Sequence, residues 1–262
     1  MFFMQIEIDL NKSVDENAGI YFNLAKKAKK KLKGAEEAIK KSKNQLEELK
    51  KREDKFLEEE TKKQQIKNRK QEWYEKFHWF ISSEEFLCIG GKDATSNEIV
   101  VKKHTDKEDL VLHTDMAGSP FFVIKNGQEC GEETINEAAQ AVGVYSRAWK
   151  LGHSTADVFY VNPDQVTKEA QSGEHLSKGS FMVYGKTNYL HPKLEYAIGL
   201  VEDQIIGGPV NAIKKKTKKF VIVISGRQKK SALARKIKSK LKGGDLDEII
   251  KFLPAGGAEI KK

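Results

Sequence analysis

From Ala35 to Ile89 the chain contains neither glycine nor proline. Lys, Glu, Ala, Leu and Gln dominate this stretch and the residues just before it, and all are strong helix formers. Tyr21, Ala25, Ala28, Leu32, Ala35, Ile39, Ser42, Leu46, Leu49, Glu53 and Phe56 recur at alternating spacings of four and three. Nine of these eleven are apolar or aromatic, which is the seam of a coiled coil. Asp15, ahead of Asn17 and Ala18, is the expected N-cap. From Glu58 to Glu72 only Ile66 is apolar, and the seam resumes at Tyr74 and Phe77. Nothing between residues 52 and 63 signals a turn, so one long helix is expected over 15–77 rather than a hairpin. At ~1.5 Å per residue it would span roughly 95 Å. Such a seam needs a partner helix, seated on Leu32, Ile39, Leu46, Leu49 and Phe56 and supplied from outside this chain.

Charge divides the remainder. The chain has 262 residues and a net charge of +9. Residues 15–77 hold 19 Lys+Arg against 13 Asp+Glu, residues 78–208 hold 11 against 19, and residues 209–262 hold 16 against 4. The expected organisation is therefore a lead-in (1–14), a helical arm (15–77), a body (78–208) and a basic extension (209–262). A net acidic body is no general platform for a polyanion, so arm and extension carry that signal. The six lysines of Lys26–Lys33 read as a solvated coiled-coil face, or as contacts to an RNA backbone. No apolar run approaches the ~18 residues of a membrane span. Met1-Phe2-Phe3-Met4 lacks the basic flank and apolar core of a signal peptide. Two cysteines, Cys88 and Cys130, make neither a disulfide framework nor a four-ligand metal site. A soluble, cytoplasmic chain without metal or cofactor is expected.

In the body the pattern turns to short β-like runs: His78–Ser82, Phe86–Ile89, Glu98–Lys103, Leu110–Thr114, Phe121–Lys125, Asp157–Val161, Phe181–Tyr184 and Leu194–Val201. Gly90-Gly91, Asn126-Gly127 and Asn162-Pro163 mark turns. Ile135, Ala138, Ala139, Val142, Tyr145 and Trp149 keep a helical period, predicting one helix over about 132–150. The fold class is α+β: a long N-terminal coiled-coil helix, then a mixed β-sheet domain with packed helices and a basic α/β tail. Gly185-Lys186-Thr187 fails as a phosphate loop, because the glycine required four residues earlier is Ser180. His113 and Asp115 share one strand face; they form an acid–base pair or, more simply, a structural hydrogen bond. No nucleophile motif is present, and no catalytic residue is assigned.

The extension opens at Gly207-Gly208-Pro209 and runs into Lys214, Lys215, Lys216, Lys218 and Lys219. A strand over Phe220–Ile224 and a helix over about 230–242 follow. Leu233, Ile237 and Leu241 form the buried face of that helix, while Arg227, Lys229, Lys230, Arg235, Lys236 and Lys240 crowd around it. Phosphates are the expected ligand of these basic groups, with Arg147 and Lys186 of the body.

The run Trp73-Tyr74-Glu75-Lys76-Phe77-His78-Trp79-Phe80-Ile81-Ser82-Ser83 resembles the start of the RNA-binding domain of the NFACT family. The resemblance continues through Ile89–Ala94 with Asn97-Glu98, Leu110–Pro120, Gln165–Leu176 and Gly179–Lys186. Ile6–Leu10, Asn17-Ala18 and Tyr21-Phe22 are similar to the lead-in of the family's second coiled-coil arm, and Gly207–Ile260 to the extension of archaeal members. Where the family usually carries a second His before Gly, this chain has Ala117. The resemblance implies a ribosome-quality-control factor that binds obstructed large ribosomal subunits carrying peptidyl-tRNA, through rRNA and tRNA. The resemblance covers only the family's second half, so the N-terminal half, which handles the tRNA, is expected either on a separate partner protein or on a longer chain of which this one is a fragment. A free-standing RNA-binding module dimerising through the arm is the other expectation.

Overall fold

The computed structural model describes residues 6–67, 71–169 and 176–261, the side chains of 54–67 excepted. The chain divides into two compact units, 1–71 and 72–262.

The first unit is one helix, α1 (Val14–Lys67), with a short lead-in. At 54 residues it is about 80 Å long. It is capped by Ser13 rather than Asp15. The Ser13 hydroxyl accepts from Glu16 N at 3.2 Å, and the Glu16 carboxylate accepts from Ser13 N at 2.8 Å. This reciprocal box satisfies two end groups at once, which a lone Asp15 could not. Asn17 anchors the lead-in, accepting from Asp9 N and donating to Asp9 O, both at 3.0 Å. The Tyr21 hydroxyl donates to Glu7 O at 2.6 Å. Leu32, Ile39, Leu46 and Leu49 are 55–62% exposed, so the seam lies bare. The Phe56 side chain lies outside the described residues, as do residues 170–175 of the Gln165–Leu176 run.

The second unit contains β1 (His78–Ile81), β2 (Leu87–Gly90), α2 (Ala94–Lys103), β3 (Leu110–Thr114), β4 (Phe122–Ile124), α3 (Glu132–Tyr145) and α4 (Arg147–Leu151). Then come β5 (Val158–Val161), β6 (Val166–Thr167), β7 (Met182–Val183), β8 (Asn188–Leu190), β9 (Glu195–Val201), β10 (Gln204–Gly208) and α5 (Val210–Lys216). β11 (Phe220–Gln228), α6 (Lys230–Leu241), α7 (Leu246–Phe252) and β12 (Ala258–Ile260) complete it. A six-stranded sheet has the order β1-β2-β4-β3-β5-β8, and a four-stranded sheet the order β10-β9-β11-β12. The strands pair antiparallel throughout the described residues.

Alternation along β3 shows why both faces of the larger sheet are covered. Leu110 and Leu112 pack with Phe122, Ala138 and Val142 under α3, while Val111 packs with Ile89, Val100 and Phe121 under α2. Tyr74 and Phe77 join that α2-side core, so they belong to this unit and do not continue the seam of α1. The expected strand Glu98–Lys103 is the C-terminal half of α2. Asp93 accepts from Ser96 N and the Ser96 hydroxyl accepts from Asp93 N, both at 2.8 Å, and this box outweighs the strand propensity of Ile99-Val100-Val101. The helix expected over 132–150 breaks at Ser146, whose hydroxyl caps α4 by accepting from Ala148 N at 3.1 Å. The residues read as an extension share a sheet with 195–208, because β11 pairs with β9. α6 closes that sheet with Leu233, Ala234, Ile237 and Leu241 around the buried Trp149, whose indole N–H donates to Gly257 O at 3.1 Å.

Candidate nucleic-acid interface

The β1–β2 hairpin sets the geography of the basic groups. His78 faces Gly90 at its open end and Ile81 faces Leu87 at its closed end, about 10 Å apart along β1. Each end carries a group of lysines.

At the closed end lies α5, whose last turn is Lys214-Lys215-Lys216, a placement the helix dipole favours. Lys215 Nζ donates to Ser83 O at 2.6 Å, and Lys216 pairs with Glu85 at 3.6 Å. Lys214, Lys218 and Lys219 are exposed. Thr217 fixes the turn between them: its hydroxyl donates to Leu200 O at 2.9 Å and accepts from Lys219 N at 3.1 Å.

At the open end Lys92 and Lys230 lie near His78, with Lys251 near Lys92 and Lys150 near Lys230, each from a separate element. Burial, and then the ammonium groups of Lys92 and Lys230, push the His78 imidazole down to about 3. Burial and then Lys251 lower Lys92, with Asp93 partly opposing. Burial and then Lys150 lower Lys230, whose Nζ donates to Leu253 O at 2.7 Å. His78 stacks on Tyr145 with ring centres 3.7 Å apart. Beside them opens a cleft of about 740 Å³, lined by the Lys92–Asn97 start of α2, the Asp115–Phe121 loop and the Ser177–Val183 segment. Gly179 lets that segment lie directly on α2. Its φ is +81°, and a Cβ there would sit 2.6 Å from Ala94 Cα.

The remaining sequence-predicted groups scatter. Arg227 and Lys229 are exposed at the passage from β11 to α6, and Arg235 and Lys236 on the outer face of α6. Arg147 is exposed at the start of α4, and Lys186 is exposed between β7 and β8. The structure thus draws Lys230 into the open-end group and leaves Lys214–Lys219 at the closed end. Sequence reasoning missed Lys92, Lys150, Lys178 and Lys251, because each stands alone in its own segment. The one available signal was Gly90-Gly91-Lys92, a sharp turn between a strand and a capped helix. His113 and Asp115 do not bond to each other. The His113 Nδ1–H donates to Thr114 O, and Asp115, beyond the end of β3, accepts from the Tyr189 hydroxyl at 3.0 Å. Among the described residues no group of three or more His, Cys, Asp or Glu could hold a metal ion. No helix of the described residues is long and apolar enough to cross a membrane.

Residues 76–185, which include the hairpin and the cleft, match the NFACT protein RNA binding domain. The chain is 41% identical over 209 residues to the archaeal Rqc2 homolog aRqcH of Methanocaldococcus jannaschii, covering 77% of this chain and 31% of that protein. It is 37% identical over 201 residues to the Ribosome quality control complex subunit NEMF homolog of Drosophila melanogaster, covering 74% of this chain and 20% of that protein. The C-terminal part of the fibronectin/fibrinogen-binding protein of Streptococcus suis overlaps 48% of each chain, with a TM-score of 0.40 and 16% identity. The chain belongs to the NFACT family and is of the archaeal type. It spans 31% or less of the length of these two relatives.

Proposed function

We propose that this chain is the RNA-binding half of a ribosome-quality-control factor, acting in the cytoplasm. It binds obstructed large ribosomal subunits carrying peptidyl-tRNA, through contacts to rRNA and tRNA. The observation that carries this reading is the RNA-binding-domain match over the residues that hold both ends of the β1–β2 hairpin. Two sets of cations stand at those ends, as a polyphosphate ligand requires. The names of the relatives point to the same process. The bare seam of α1 would be covered by a helix of a protein carrying the N-terminal half of the factor.

The role is one of binding rather than catalysis. Both imidazoles near the cleft are packed against rings, His78 on Tyr145 and His113 on Phe121. Neither forms an acid–base pair, and affinity without a group aimed at a transition state yields no turnover. The test is co-sedimentation of the full chain with purified large subunits, with and without peptidyl-tRNA. Association that fades with salt is expected, and no association at low salt would refute the proposal. Light scattering of the chain alone separates the partner reading from dimerisation: a monomer supports an outside helix, and a dimer joined through α1 supports the free-standing module.

A further inference from the structure

The cleft beside His78 has a composition that plain phosphate binding does not explain. Its volume, about 740 Å³, lies within the usual ~300–1,000 Å³ of small-ligand sites. Phe121, Phe159 and Phe181 line it. Phe121 and Phe159 are nearly fully buried, while Phe181 is half-buried and meets Phe121 edge-on at 5.3 Å. His78 also lines the cleft and is half-buried, yet its ring nitrogens make no hydrogen bond among the described residues. A neutral imidazole offers one donor and one acceptor, the complement of a nucleobase edge.

Charge narrows the ligand further. The cleft is lined by Lys92 and Lys178, and neither is ion-paired among the described residues. Its two carboxylates accept from neutral donors, Asp93 from Ser96 and Asp115 from Tyr189, and Asp93 partly opposes Lys92 and Lys178. A ligand with negative charge at the lip, near the two ammonium groups, and a flat group inside suits this lining. In a duplex the base faces are covered by their neighbours, so the half-buried Phe181 ring, backed by Phe121, favours an unstacked base.

We propose that this cleft takes one splayed-out nucleotide of single-stranded RNA. Its base lies against Phe181 with an edge toward His78, and its phosphate lies toward Lys92 and Lys178. This rests on the RNA-binding reading above and names a site for it.

The test is fluorescence anisotropy of the full chain, at fixed salt, with a labelled eight-nucleotide single-stranded RNA and a blunt 16-base-pair RNA duplex. Phe181→Ala and, separately, Lys92→Ala should each weaken octamer binding about tenfold, as loss of one stacked base or one phosphate contact does. Duplex binding should change less than about twofold. Equal losses for both RNAs, or no loss for either, would overturn the cleft while leaving RNA binding intact. Failure of the unaltered chain to bind either RNA would remove the RNA-binding reading as well. Octaglutamate competing as well as the octamer would make the cleft a plain anion site and overturn the nucleotide. Should Phe181→Ala not fold, the unaltered chain is irradiated with an octamer containing 4-thiouridine. Crosslinks to residues lining the cleft are expected, and crosslinks confined to other surfaces contradict the proposal.

Discussion

Two groups of lysines stand at opposite ends of one short hairpin, and they behave differently. At the closed end Lys215 and Lys216 are tied to Ser83 and Glu85, while Lys214, Lys218 and Lys219 reach into solvent. At the open end Lys230 is half-buried and donates to Leu253 O, while Lys92 is exposed at the lip of an aromatic cleft, and Lys251 and Lys150 repel this pair of ammonium groups. The first arrangement supplies solvated charge, good for long-range attraction and sensitive to salt. The second sets cations of like charge beside a cleft lined by rings, where a phosphate would offset their mutual repulsion. The number of cations alone therefore does not tell what a basic surface does. What stands beside them decides whether they attract generally or discriminate.

Altering each end in turn separates the two. Changing Lys214, Lys215, Lys216, Lys218 and Lys219 together to Glu should weaken RNA binding at least about hundredfold near physiological salt, for duplex and single strand alike. Anisotropy with both RNAs reads this, and a loss restricted to single strands would exchange the roles assigned to the two ends. Lys92→Ala should have the smaller effect, selective for single strands, already described for the cleft.

The open end should also reveal itself in stability without any ligand. The folded chain holds His78 down to about 3 against an ordinary 6.5, so the unfolded chain binds a proton that the folded chain refuses. Stability from this group is complete above about pH 6.5 and is lost as pH falls toward 3, at up to about 1.4 kcal/mol per pH unit. Urea melts at pH 7 and pH 5 should show the slope, and His78→Gln should flatten it. An unchanged slope in that variant would place the titrating group elsewhere.

The smallest effect is expected in the arm. Leu46→Glu or Leu49→Glu should leave the melting of the second unit unchanged, since both side chains are exposed on α1. Either change should still abolish association with a partner helix, read by light scattering of the mixture. A shift in the melting of residues 72–262 would mean that the seam serves the body instead.

How far the sequence revealed all this depends on how local the controlling interactions are. The arm was legible because its signal is a repeated period with no breaker, and α1 runs unbroken through the region where a hairpin was conceivable. Most strands were legible from their β-branched and aromatic runs, since β3, β5 and β9 lie where the pattern put them. α2 was not, because Asp93 and Ser96 decide it through two hydrogen bonds that residue type alone does not weigh against Ile99-Val100-Val101. Tyr74 and Phe77 kept the seam's spacing, but burial beside Val100 and Phe121 claims them. The closed-end lysines were legible as one run in the chain. The open-end lysines come from a turn and three helices up to 159 positions apart, Lys92 to Lys251, and only folding brings them together.

The central claim is that the Lys214–Lys219 end supplies the electrostatic grip on RNA, and its most direct test is the salt dependence of binding. The logarithm of the affinity for the 16-base-pair duplex is measured against the logarithm of salt concentration, for the unaltered chain and the five-lysine variant. Each lost phosphate contact lowers the slope by about one unit, so a slope shallower by about three to five units is expected. The range reflects Lys215 and Lys216, which are partly engaged within the protein. An unchanged slope, with affinity reduced or not, would contradict the account and move the grip to another surface.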